Sequence, residues 1–173
     1  MTCCEQIDQI KTDGPTSRPE VGQVRADDLI RWLWNEAQFD PTYPAPILDF
    51  FADDIVYEDM VYKEPFVGKT AVVDFLQRTK DTAPPDFTFI LDKVSDGEKA
   101  VGFTWHIELL ERPDAGKFAN GCSFYELNDE GRICYVRDVV EPALKLGSFG
   151  LVLANLAAKA INMTPPPTAE SRP

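Results

Sequence analysis

Ile133-Cys134-Tyr135-Val136-Arg137-Asp138-Val139-Val140 is a run of β-branched and aromatic residues with one aspartate inside it. Such side chains fit a pleated, half-buried surface, so the run reads as a strand. Three more runs of this kind precede it, at 118–127, 100–111 and 87–94. Between them stand Asn128-Asp129-Glu130-Gly131, Pro113-Asp114-Ala115-Gly116 and Ser95-Asp96-Gly97, each with turn-forming chemistry. Four strands joined by turns predict an antiparallel meander.

Upstream the pattern is helical. Asp27-Asp28-Leu29-Ile30-Arg31-Trp32-Leu33-Trp34 opens a helix with acids in its first turn, where they complement the helix dipole. Pro41, Pro44 and Pro46 make a rigid connector before a second helix through Ile47, Leu48, Phe50 and Phe51, ending near Asp53-Asp54. A short extended piece covers 55–60. A third helix runs from Lys69 to about Thr79 with Val72, Val73, Phe75 and Leu76 apolar. Helices first and a meander second is an α+β order. Residues 1–22 read as a flexible tail, 23–142 as the domain, 143–163 as an apolar C-terminal helix and 164–173 as a Pro-rich tail. That last helix, with Leu146, Phe149, Leu151, Val152, Leu153 and Leu156, is expected to pack on the sheet, cap a cavity or touch a second subunit.

The chain has 173 residues, 44% hydrophobic and 11% aromatic, which suits one globular domain with a real core. Its formal charge is −12, from 29 acids against 17 bases. Phosphate recognition needs a basic footprint, so neither nucleic acid nor an anionic membrane is expected as partner. No run reaches membrane-spanning length, and the acidic start lacks the apolar segment of a secretory signal. The expectation is a soluble intracellular protein, cytoplasmic by default with an organelle left open. Cys122 and Cys134 could face each other across a hairpin, and two free buried thiols are the preferred reading; adjacent Cys3 and Cys4 make a poor zinc or redox signature.

Strand side chains alternate, so His106 and Glu108 share a face. If that face looks inward with Asp138, carboxylates meet a histidine in an apolar pocket. Glu108, Asp138 and Asp59 cannot all ionise cheaply there, which predicts one donor and one acceptor at neutral pH. Phe103, Trp105, Ile107 and Leu109 then lie outside and need cover, which predicts a homodimer through the outer sheet face.

The phrases Asp53-Asp54-Ile55-Val56-Tyr57-Glu58-Asp59, Phe66-Val67-Gly68-Lys69 and Gly131-Arg132-Ile133 leading into Arg137-Asp138 resemble the SnoaL-like branch of the NTF2-like superfamily over about residues 24–142. The resemblance implies a cone-shaped α+β barrel, with N-terminal helices held in a curved antiparallel sheet around a deep pocket. The C-terminal helix is extra. Tyr135-Val136-Arg137-Asp138-Val139-Val140 is also similar to the last strand of limonene-1,2-epoxide hydrolases. That likeness implies Asp138 as the base that deprotonates water, and Glu108 in the slot of the acid that protonates the epoxide oxygen. His106 stands where that family has arginine. Tyr57 and Asp59 occupy the slots of a Tyr-x-Asn pair that holds the water.

The expected function is acid–base catalysis on an apolar small molecule, with epoxide opening first and isomerase or cyclase chemistry next. A non-catalytic carrier of a hydrophobic ligand is the rival from another class, and a protein-interaction module a third. Catalytic candidates are Asp138, Glu108, His106, Tyr57 and Asp59; lining candidates are Trp34, Phe66, Ser123, Tyr125, Leu110 and Val140. No metal and no cofactor is called for, since one histidine without a partner at fixed spacing is a poor metal signature.

Overall fold

The computed structural model describes residues 14–15, 17–37, 45–112, 114, 119–142 and 145–163. Most of the two tails, including Cys3 and Cys4, lies outside the described residues. The four predicted strands are present as β3 (Phe87–Val94), β4 (Ala100–Leu109), β5 (Ala119–Leu127) and β6 (Ile133–Val140), each antiparallel to the next. β1 (Phe51–Asp59) lies parallel to β6, and the two-residue β2 (Phe66–Val67) pairs antiparallel with β1. The result is one curved, open, mixed sheet in the order β2-β1-β6-β5-β4-β3. Its edges do not meet, so the barrel expected from the resemblance is an unclosed one.

The second helix, predicted through Ile47 and Phe51 to near Asp53-Asp54, is a short 3-10 helix, Ala45–Phe50, and β1 begins at Phe51. Six residues cannot nucleate a stable α-helix. Phe51 gains more by pairing with Ile133 on β6, where both side chains are buried.

Two helical segments cover the inner sheet face. α1 (Ala26–Trp32) continues as a π-turn, Leu33–Ala37. Its start is fixed by Arg25, which pairs with Asp27, Asp96 and Glu98. α2 (Lys69–Thr82) buries Val72, Phe75 and Leu76, the i, i+3, i+4 stripe of an amphipathic helix. Gly68 precedes it at φ 85°, a conformation only glycine adopts without strain, and its N–H bonds the Ile55 carbonyl at 2.8 Å. The core between helices and sheet holds Leu29, Ile30, Phe50, Ile55, Val72, Val101, Ile133 and Val136, each almost fully buried. Each such side chain stabilises the fold by about 1.5–3 kcal/mol relative to exposure.

The chain divides into two compact units, Met1–Glu141 and Pro142–Pro173. The second contains α3 (Ser148–Met163), on which Phe149, Leu151, Val152, Leu153 and Leu156 are exposed. Among the described residues no helix is long and apolar enough to cross a membrane.

Candidate active site

Strand register decides which side chains meet. Tyr57, Val136, Tyr125 and Val101 form one row across β1, β6, β5 and β4. The next row is Asp59, Asp138, Ser123 and Phe103, and a third is Val140, Gly121 and Trp105. All three rows belong to the inner face. They border a cavity of about 240 Å³ whose wall includes Tyr57, Asp59, Asp138, Val140, Tyr125 and Trp105 from the sheet. Leu33 and Trp34 from the π-turn, Phe75, Leu76 and Thr79 from α2, and Phe87, Phe89 and Ile107 from β3 and β4 complete most of it.

Asp138 is the chemical centre of this cavity. The Tyr57 hydroxyl donates to its Oδ2. The Ser123 hydroxyl also stabilises the carboxylate. Ser123 Oγ in turn accepts the Trp105 Nε1–H at 2.8 Å, which leaves its own proton for Asp138. Trp105 reaches Ser123 by lying across Gly121, where any Cβ would overlap the indole. Oδ1 of Asp138 is buried with no hydrogen-bond partner. Burial disfavours the charged form and dominates, lifting the carboxyl against the pull of Ser123 and Tyr57, and the Asp59 charge adds to the rise. The balance puts Asp138 at about 6. Asp59 sits opposite Asp138 in the parallel β1–β6 pair, is half-buried, and accepts the Val61 N–H at 2.9 Å.

Two expected catalytic residues lie elsewhere. His106 and Glu108 are on the outer face of β4, because Phe103, Trp105, Ile107 and Leu109 take the buried inner face. An apolar row buries more favourably than a row with an imidazole and a carboxylate, so the inward reading of His106-x-Glu108 is reversed. His106 is nonetheless buried. Its Nδ1 lies 2.8 Å from Asp92 and its Nε2 3.1 Å from Glu108. Asp92 reaches it from a bulge in β3, between the pairs Leu91↔Trp105 and Lys93↔Thr104.

Of the lining candidates, Trp34, Tyr125 and Val140 are in the cavity wall. Ser123 stands behind it, touching Asp138. Phe66 is also behind, stacked on Phe75 at 4.2 Å. Leu110 is exposed past the end of β4. Trp105, Phe89, Phe75 and Thr79 were not among the candidates. Their signals were the alternate apolar residues of β3 and β4 and the 72/75/76/79 spacing in α2. Cys122 and Cys134 are both free, and Cys122 is exposed rather than buried. Among the described residues no group of three or more His, Cys, Asp or Glu is placed to hold a metal ion.

The family model described as a SnoaL-like domain matches residues 28–136, stopping two residues before Asp138. Among solved structures, the chain is similar to a candidate isomerase of the SnoaL-like family from Agrobacterium tumefaciens: 20% identity, TM-score 0.51, covering 64% of this chain and 90% of that one. It is similar to a candidate ketosteroid isomerase from Kribbella flavida, at 19% identity and TM-score 0.53 over 75% of this chain and 85% of that one. It is also similar to a candidate polyketide cyclase from Sinorhizobium meliloti, at 14% identity and TM-score 0.50 over 65% and 94%. At these identities the likeness is one of fold. No curated protein matches by sequence.

Proposed function

The chain belongs to the SnoaL-like domain family, and on that premise we propose that it is a proton-transfer enzyme of isomerase or cyclase type, acting on a small apolar molecule with Asp138 as general base. The observation that carries this reading is the Asp138 carboxylate itself. It stands in an apolar cavity at about 6, held on one oxygen by Tyr57, with its other oxygen unpartnered. A base is most effective when its pKa lies near the working pH. The Asp138 carboxylate takes a proton from a substrate carbon, the C–H pair moves into the substrate's π-system, and the same carboxylate returns the proton at another atom. Tyr57 and Ser123 keep the carboxylate in one orientation throughout. An engineered apolar cavity of about 150 Å³ admits benzene, so about 240 Å³ suits a molecule of one or two small rings.

Epoxide opening is the second reading, because a water on the Asp138 carboxylate would be activated by the same base. It needs a proton donor inside the cavity. Glu108, the donor expected from the sequence, faces away on the outer side of β4.

The test is a panel of cyclic enones, epoxides and cyclisable polyenes turned over in deuterated and ¹⁸O-labelled water, wild type beside Asp138→Asn. Solvent deuterium at carbon, lost in the variant by at least about a hundredfold in rate, is expected. ¹⁸O in a diol would instead select epoxide opening. No turnover by the wild type, with an apolar ligand bound equally by both proteins, would make the chain a carrier.

A further inference from the structure

The cavity contains an electrostatic imbalance that an apolar neutral ligand would leave uncorrected. Eight of its described wall residues are aromatic, Trp34, Phe89 and Trp105 among them. Two carboxylates, Asp59 and Asp138, share that wall, and among the described residues it includes no Lys, Arg or His. Asp138 Oδ1 is buried without a partner. An aromatic ring attracts a cation through its quadrupole, and this attraction strengthens where water is excluded. A buried carboxylate without a counter-charge is costly, and a ligand cation beside it removes that cost. Both features favour the same ligand chemistry.

We infer that the cavity selects an apolar ligand bearing a positive charge on nitrogen, an ammonium or iminium on one or two small rings. Such a ligand sets its cation between Asp138 and Asp59 and its hydrocarbon against the rings of Trp34, Phe89 and Trp105. This deepens the proton-transfer reading by naming the substrate class, and it rests on Asp138 facing the ligand.

The test is calorimetric titration of the full chain at about pH 7.5 with benzyltrimethylammonium and with neopentylbenzene, its neutral isostere. The ammonium is expected to bind at least about tenfold more tightly. Asp59→Asn and Asp138→Asn are each expected to cut that preference at least about threefold, with circular dichroism showing the fold retained. Should a carboxylate variant fail to fold, Trp105→Leu keeps both acids and is expected to weaken the ammonium more than the isostere. Equal or tighter binding of neopentylbenzene by the wild type overturns the inference, as does no binding of either probe at millimolar concentration or a preference unmoved in every folded variant. Turnover of neutral carbonyl compounds without cation preference would leave proton transfer standing and overturn this inference alone. Cation preference without any turnover would do the reverse.

Discussion

At the scale of the residue, Asp138 is held where a carboxylate is destabilised. Its folded value of about 6 lies above the roughly 3.9 of an unfolded aspartate. A raised carboxyl favours the folded state fully below the unfolded value and loses that contribution as pH climbs through the folded one. The wild type should therefore lose about 2 kcal/mol between about pH 4 and pH 7 relative to Asp138→Asn. Chemical denaturation of both proteins across that range checks it, and parallel curves would deny the burial cost. Rate should move the other way, since the base works only when ionised: kcat/KM should fall about tenfold per unit below about pH 6. Asp138 was legible in the sequence because an acid inside a strand of β-branched and aromatic residues has few inexpensive explanations. Its contacts with Tyr57 and Ser123 were not both legible. Tyr57 came from the family slot, whereas Ser123 depends on register across β5 and β6.

At the scale of the element, β4 shows where one strand read alone misleads. Its span was evident from flanking turns, and its alternation from the sequence. Which face looks inward depends on its neighbours. The Asp92 bulge that supports His106 leaves no mark in a list of residues, so a buried histidine passed for a site residue. Glu108→Gln should accordingly leave turnover within about twofold, as for an ordinary surface change; a hundredfold loss would return Glu108 to the chemistry. Gly121→Ala tests the opposite face. The added methyl overlaps the Trp105 indole, and overpacking of this kind costs about 1–3 kcal/mol. Denaturant melts should register that loss, and tryptophan fluorescence should shift as Trp105 leaves Ser123. An unperturbed variant would contradict the Gly121–Trp105–Ser123 arrangement.

At the scale of the whole molecule, the α+β order was legible because turn residues punctuate every strand and the helices keep their apolar spacing. The parallel return of β1 onto β6 was not, since pairing between distant segments has no local signature. The homodimer remains a proposal, now on changed grounds. The outer sheet face carries exposed Phe124 and Val139 beside Cys122, in place of the aromatic row that turned inward. Light scattering should give a dimer for the wild type and a monomer for Phe124→Glu. A chain ending at Glu141 should stay dimeric, and a monomer there would move the contact to the C-terminal unit.

The account depends most on Asp138 being a carboxylate poised inside an apolar cavity, and that can be observed without knowing the substrate. Carbon-13 NMR of aspartate-labelled protein, with Asp138→Asn identifying the resonance, titrates this group directly. A midpoint at about 6, well above the ordinary value near 3.9, is the predicted result. A midpoint at or below about 4 would mean a solvated or ion-paired side chain, and would contradict the site as described.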